Sequence, residues 1–154
     1  MRRNLSIVWK RVLDEHSKVC KRCHAIQAEI ADATARLRTA LHPLGIDVTF
    51  EHKGVSAEHF RQTPAESNRL WVAEKPIETW LGGELGPVQR CTFCGDNQCP
   101  TVCVHGGCYE VVPADLIVRA GLLAASELIG PEPEGGPPPC TGRPRRRRKP
   151  SASG

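Results

Sequence analysis

The spacing of apolar residues along the chain predicts a series of alternating strands and helices. Residues 5–13 are rich in β-branched and aromatic side chains, which is typical of a strand. Over residues 24–42 the apolar positions return every three or four residues, which predicts a helix that Pro43 and Gly45 end. Apolar and polar residues then alternate over 46–51 and predict a second, half-buried strand.

The elements predicted beyond the second strand are shorter, except for the last helix. They are a short helix, a third strand, a brief helix and a final amphipathic helix, over residues 56–62, 69–72, 76–81 and 114–128. Ser56 is the predicted N-cap of the short helix. Gly106 and Gly107 predict a turn between a strand that begins at Val104 and a strand over 109–112, which together form a small hairpin.

Charge and composition change abruptly after Gly130. The chain has 154 residues with a net charge of +4, but six of its basic groups lie in residues 131–154, which leaves 15 basic and 15 acidic residues in 1–130. The segment 131–154 is rich in proline, glycine and arginine and has no apolar face to bury. The sequence therefore predicts one domain over 1–130 and a disordered tail over 131–154, to which any basic surface for nucleic acid is confined.

The apolar runs are too short for a membrane protein or an exported one. No stretch approaches the roughly 20 apolar residues that a membrane span requires. Near the N-terminus, Lys10 and Arg11 interrupt the apolar run that an export signal would need. We therefore expect a cytoplasmic protein with no membrane partner, in which cysteines stay reduced and serve redox or metal chemistry.

The first cysteine pair, Cys20-x2-Cys23, follows the first strand and precedes the first helix. At a helix N-terminus the unpaired N–H groups and the helix dipole stabilise a thiolate. Lys18, Lys21 and Arg22 add positive charge, so we expect the pKa of Cys20 to fall below the ~8.5 of a free thiol. Such a thiolate attacks disulfides and also binds soft metals, while the alternative is a pair of ordinary helix-start cysteines or half of a zinc site.

Several motifs along the chain together resemble one known family. They are the first strand with Cys20-Lys-Arg-Cys23, Leu44-Gly45-Ile46, Glu66-Ser67-Asn68-Arg69, Cys94-Gly95-x3-Cys99 and Pro113-x-x-Leu116-Ile117-x-x-Ala120. Over residues 5–128 the chain resembles a bacterial and archaeal thioredoxin-like family known as a domain of unknown function. The resemblance implies an α/β, thioredoxin-like three-layer fold with a cysteine-rich loop insertion over 88–108. It also hints at the handling of arsenic, mercury or other soft metals.

Two departures from thioredoxin itself affect the expected substrate. The residues between Cys20 and Cys23 are Lys and Arg, where thioredoxin has Gly and Pro. No proline precedes the third strand at 67–68, where a thioredoxin has a cis-proline that helps to hold the substrate chain. We therefore expect a small thiol, a soft metal ion or a particular partner disulfide protein, and not general reduction of protein disulfides.

The second cysteine group offers four sulfurs in thirteen residues, namely Cys91, Cys94, Cys99 and Cys103. Tetrahedral zinc takes four such ligands, and a loop poor in apolar residues gains its order from the metal. The spacing resembles a zinc knuckle, although Cys99 stands in place of histidine and the last gap is one residue short. The alternatives are a redox or metal-relay pair, Cys94 and Cys99, that exchanges with the first pair, and scattered thiols or disulfides.

These observations predict a dithiol protein whose first cysteine pair carries the function. In this interpretation Cys20 is the attacking thiolate, or the first ligand of a soft metal or metalloid, and Cys23 is the resolving thiol or second ligand. As an enzyme the protein would be a thiol–disulfide oxidoreductase, and as a binding module it would hold the metal. The alternative function is a zinc-knuckle-like module whose basic tail contacts nucleic acid, with zinc as the cofactor.

Overall fold

The computed structural model describes residues 2–12, 21–63, 69–86, 89–90 and 98–130, and these residues form a mixed α/β structure. The elements in chain order are β1 (Arg3–Val12), α1 (Lys21–Leu41), a 3-10 turn (His42–Leu44), β2 (Ile46–Val55), α2 (Ala57–Gln62), β3 (Arg69–Val72), β4 (Lys75–Pro76), α3 (Ile77–Leu81), β5 (Glu84–Leu85), β6 (Gln89–Arg90), β7 (Gln98–Cys99), β8 (Val102–Val104), β9 (Gly107–Tyr109) and α4 (Ala114–Ile129).

The main sheet contains four of the described strands in the order β2-β1-β3-β4. Strands β1 and β2 are parallel along their whole length, and α1 supplies the crossover connection that parallel neighbours require. Strand β3 then runs antiparallel to β1, with Arg69 opposite Lys10, and β4 runs antiparallel to β3. The C-terminal end of β1, the N-terminus of α1 and the start of β3 therefore share one end of the main sheet.

One face of the main sheet is buried beneath α1 and α4. Leu5, Ile7 and Trp9 alternate along β1 with residues that face the other side, and all three are almost fully buried. The helices contribute apolar residues at three- and four-residue spacing to the same core; these are Ile26, Ile30, Ala33, Leu37, Ile117, Ala120 and Ala124. The burial of these side chains is the main source of the fold's stability.

Two contacts bring α1 and α4 close together. A Cβ on Gly121 of α4 would lie 2.5 Å from Cδ1 of Leu37, so glycine at this position allows the close approach of the two helices. Near the other end of α1, the Glu29 carboxylate accepts a hydrogen bond of 2.6 Å from the backbone N–H of Ala114. This N–H is one of the groups that lack an intrahelical partner at the start of α4, and the negative charge also suits the helix dipole there.

A second, small sheet consists of β5, β8 and β9 in the order β5-β8-β9, with both pairs antiparallel. Val102 and Val104 of β8 are buried and belong to the same apolar core as the main sheet. The intervening residue, Cys103, therefore faces the opposite side of the small sheet. A separate two-stranded ribbon is formed by β6 and β7.

The mixed α/β class is confirmed, and the longer predicted elements lie within a few residues of their observed positions. Ser56 is the N-cap of α2, where its hydroxyl accepts a hydrogen bond from the N–H of His59. The predicted strand over 109–112 is wrong, because the hairpin strands are β8 and β9. His105 and Gly106 form the turn with φ angles of +50° and +81°, as a two-residue type I′ turn requires. The predicted tail over 131–154 lies outside the described residues.

Candidate functional site

The first cysteine pair is only half described by the structure. Cys23 lies in the first turn of α1 and belongs to the apolar core, with a relative exposure of 8%. Cys20 falls in the segment 13–20, outside the described residues, although it immediately precedes Lys21, where α1 begins. Of the predicted pair, the structure therefore places the second sulfur at the helix start with its side chain turned toward the core.

The end of the main sheet that leads to α1 carries cationic and aromatic side chains. Lys10 and Arg69 are register partners, and their charged groups lie 4.8 and 5.2 Å from the ring centroid of Trp71. Arg11 lies 5.9 Å from the ring centroid of Trp9. These contacts hold positive charge at the C-terminal end of β1 and the start of β3.

A buried ion pair joins the start of β3 to α3. Nη2 of Arg69 donates to Oε1 of Glu78 at 2.5 Å, and the relative exposures of the two side chains are 19% and 7%. Oε2 of Glu78 and Nε of Arg69 are buried and have no hydrogen-bond partner among the described residues. Removing either charge would leave the other one largely buried and uncompensated, so this ion pair fixes α3 to the main sheet.

His52 of β2 has a pKa below the ordinary value for histidine. Its ring stacks on Trp9 with the ring centroids 5.0 Å apart. Burial lowers the pKa of His52 from its ordinary value of 6.5, and the nearby positive charge of Arg11 lowers it further.

The second cysteine group is divided by the structure. Cys91 and Cys94 lie outside the described residues, and only the backbone of Cys99 is placed, in β7. Cys103 forms a disulfide with Cys108. A disulfide sulfur is not a thiolate, so Cys103 is not available as a fourth zinc ligand unless this bond is reduced. The part of the chain that the structure describes contains no group of three or more potential metal ligands, and the zinc site stays a prediction.

The disulfide follows directly from the hairpin register. The His105–Gly106 turn pairs Val104 with Gly107, and it therefore places Cys103 directly opposite Cys108. Their Cα atoms are 4.0 Å apart, closer than the roughly 4.5 Å typical of ladder pairs that exchange no backbone hydrogen bonds. The C-x2-C and C-x4-C spacings give no indication of this pairing, and a turn at Gly106 and Gly107, as the sequence predicts, would place Cys103 opposite Glu110 instead.

An open cleft lies against this disulfide. Its volume is about 620 Å³, and its lining includes both cysteines, His105, Glu84 and the glycine-rich segment 82–86. Glu84 of β5 is the register partner of Cys103, so its carboxylate lies on the same face of the small sheet as the two sulfurs. Cys108 is exposed, whereas Cys103 is half-buried.

Two glycines, one on each side of β5, allow this segment to pack closely against β8 and the residue before it at this cleft. A Cβ on Gly83 would overlap the backbone oxygen of Cys103. A Cβ on Gly86 would overlap the hydroxyl of Thr101 and lie 2.7 Å from Sγ of Cys103. Thr101 has a relative exposure of 3%, and its hydroxyl has no hydrogen-bond partner among the described residues. A buried hydroxyl with no hydrogen-bond partner among the described residues therefore lies on the same side of Gly86 as the sulfur of Cys103.

The chain belongs to the family described as "Domain of unknown function (DUF2703)", whose model matches residues 5–121. It is also similar to an uncharacterized protein of Archaeoglobus fulgidus, with 36% identity over 113 residues, which are 73% of this chain and 82% of the archaeal protein. No solved structure gives a significant match. Within the described ranges, no helix is both long and apolar enough to cross a membrane.

Proposed function

We propose that this protein is a thioredoxin-like thiol–disulfide oxidoreductase that uses the Cys20/Cys23 dithiol. The β1–α1–β2 unit, with parallel strands and a C-x-x-C at the start of its helix, is the context in which that motif is typically a redox pair. The antiparallel strands β3 and β4 that follow β2 and α2 also support a thioredoxin-like main sheet.

The observation that carries the proposal is the burial of Cys23 in the first turn of α1. A resolving thiol is best protected from outside thiols, and the burial of Cys23 meets this requirement. Cys20 directly precedes α1 in the sequence and is flanked there by Lys18, Lys21 and Arg22, so it is the thiol that we expect to gain from their positive charge.

The exchange proceeds in two steps, and each step breaks one S–S bond and forms another. The Cys20 thiolate attacks one sulfur of a substrate disulfide RS–SR, which forms a mixed disulfide and releases one RS⁻. The Cys23 thiolate then attacks Sγ of Cys20 and releases the second RS⁻. The substrate gains two electrons, and the protein is left with a Cys20–Cys23 disulfide that two equivalents of a small thiol return to the dithiol.

Small-molecule disulfides are the substrate class that the chain favours. The sequence has no proline directly before β3, and no cis peptide bond occurs in the described part of the chain. A cis-proline beside the dithiol would hold an extended substrate chain, so its absence from the sequence at 67–68 weakens the case for protein substrates.

A turnover assay with glutathione disulfide and insulin as parallel substrates tests the proposal. We expect turnover of glutathione disulfide that Cys20→Ser abolishes, while Cys23→Ser accumulates the mixed disulfide on Cys20. Cys140→Ser is the matched control, because it removes a cysteine far along the sequence, and it should retain full turnover. Absence of turnover, together with tight binding of arsenite or mercuric ion that requires Cys20, would replace the redox function by soft-metal binding.

A further inference from the structure

We propose that the Cys103–Cys108 disulfide is a second, independent exchange site, which low-molecular-weight thiols reduce in the folded protein through the cleft beside it. The structural role of this disulfide is limited. It links residues only five positions apart, in a hairpin that the type I′ turn already closes. A short loop of this kind gains less stability from a cross-link than a long loop does, since fewer unfolded conformations are removed.

The surroundings of the two sulfurs indicate which one an incoming thiolate attacks and which one becomes the leaving group. Sγ of Cys108 belongs to an exposed residue on the cleft, so an incoming thiolate reaches it without unfolding. Sγ of Cys103 is packed against Gly86. Exposed disulfides are the ones that exchange readily, and attack on Cys108 makes Cys103 the leaving group.

Thr101 supplies a hydrogen-bond donor for the leaving thiolate. Its buried hydroxyl lies against the same side of Gly86 as Sγ of Cys103 and has no hydrogen-bond partner among the described residues while the disulfide is intact. When the S–S bond breaks, the hydroxyl donates to the new thiolate and so lowers both the barrier and the pKa of the leaving group. Thr101 is therefore a positioning residue for the reduced state.

The reaction balances with two equivalents of the small thiol. One RS⁻ bonds to Sγ of Cys108, and the electron pair of the broken S–S bond stays on Cys103. A second RS⁻ attacks the mixed disulfide, which releases RS–SR and the Cys108 thiolate. The small thiol is oxidised, the hairpin gains two electrons, and the reverse reaction restores the disulfide from RS–SR.

The charge of the cleft indicates which thiols react fastest. Glu84 lies beside Cys103 on the same sheet face, so its carboxylate repels an anionic thiol and attracts a cationic one. The preferred reductant is accordingly a neutral or cationic small thiol. The cleft of about 620 Å³ falls within the usual range for small-molecule sites.

The first experiment measures reduction of the hairpin in full-length Cys20→Ser protein, so that its outcome is separate from that of the proposed function. The oxidised protein is mixed with dithiothreitol or cysteamine, quenched by alkylation, and analysed by mass spectrometry of the peptide that contains Cys103 and Cys108. We expect a rate proportional to thiol concentration and insensitive to low urea. A rate that reaches a plateau at the unfolding rate, or that rises steeply with urea, would overturn the proposal.

A second experiment identifies the attacked sulfur. Cys103→Ser and Cys108→Ser proteins, both in the Cys20→Ser background, are treated with glutathione disulfide, and adducts at the remaining hairpin cysteine are followed. We expect adduct formation at Cys108 to be at least tenfold faster than at Cys103, because only Cys108 is exposed on the cleft. Equal rates, or a faster Cys103, would contradict the assignment.

The role of Thr101 is tested with a matched pair of variants. Thr101→Val keeps the shape and removes the hydroxyl, and it should slow reduction about tenfold, the usual effect of one hydrogen bond to a charged group. It should also raise the pKa of the reduced Cys103 thiol, measured from the alkylation rate against pH. Thr101→Ser keeps the hydroxyl and should restore both values; a Ser variant that behaves like Val would show that only packing matters.

Of the variants proposed for this site, those at Glu84 should change the rate of disulfide reduction least. The ratio of the reduction rates with cysteamine and with mercaptoethanesulfonate should fall about threefold in Glu84→Gln, a size typical of an exposed charge interaction. An unchanged ratio would remove the charge preference from the proposal.

Discussion

The main sheet and the small sheet achieve order by different means. The main sheet has two strands of ten residues, and α1 and α4 bury one of its faces. The small sheet has strands of two or three residues, and a turn, close glycine contacts and a disulfide define its outer face. The two sulfur centres differ in the same way, because Cys23 is part of an apolar core and Cys108 is open to solvent. Burial in the shared core stabilises both regions, and local covalent and backbone constraints additionally shape the outer face of the second.

The largest loss of folding stability should come from a substitution in the apolar core beneath the main sheet. Leu37→Ala removes a fully buried side chain between α1 and α4, and we expect the free energy of unfolding to fall by about 2–5 kcal/mol. Urea denaturation followed by circular dichroism measures it. Leu122→Ala is the matched control on the exposed side of α4 and should change stability by about 0.5 kcal/mol or less. Equal effects would show that the core is not where the structure places it.

The buried ion pair should give the next largest effect. Glu78→Ala leaves Arg69 without its partner, and we expect a loss of about 2–3 kcal/mol, below the full value for a buried pair because Arg69 is partly exposed. Glu127→Ala, which breaks an exposed pair with Lys75, should cost at most about 1 kcal/mol. The double variant Arg69→Met/Glu78→Leu should regain most of the loss, since no buried charge remains. A double variant as unstable as Glu78→Ala would contradict this explanation.

Loss of the hairpin disulfide should be milder. Cys103→Ser/Cys108→Ser is expected to lower the free energy of unfolding by roughly 2 kcal/mol, because the closed loop is short. The control is the wild-type protein measured with a strong reductant, which should match the double variant. A loss larger than that of Leu37→Ala would mean that the small sheet, and not the main sheet, limits stability.

The smallest effect concerns His52 and pH. Its folded-state pKa lies below 6.5, so the unfolded chain binds more protons as the pH falls through 6.5. The stability associated with neutral His52 is therefore full above pH 6.5 and is progressively lost as the pH falls through the folded-state pKa. The difference in unfolding free energy between wild type and His52→Gln, followed across this range, should show that slope; a flat difference would contradict the partial desolvation of this exposed ring against Trp9.

Long periodic segments explain most of what the sequence predicted correctly. Helix α4 was expected over 114–128 and ends at Ile129, and β3 has its predicted bounds, because regular burial patterns extend through each. The Cys103–Cys108 pairing was missed because sulfur spacing along the chain was interpreted as a ligand set, whereas the turn at His105 decides which residues face each other. The Thr101 hydroxyl could not be anticipated, since its position depends on Gly86, which lies in another part of the chain.

The hydrogen bond from Ala114 to Glu29 links residues that are 85 positions apart. Helix α4 also completes the core that begins with β1, so this core cannot close during synthesis until the chain has been made past Ile129. The hairpin around His105 requires only neighbouring residues and forms on the microsecond scale typical of hairpins. Pairing of the two cysteines of the small sheet therefore depends on local contacts, whereas the enclosure of Cys23 depends on contacts between distant parts of the chain.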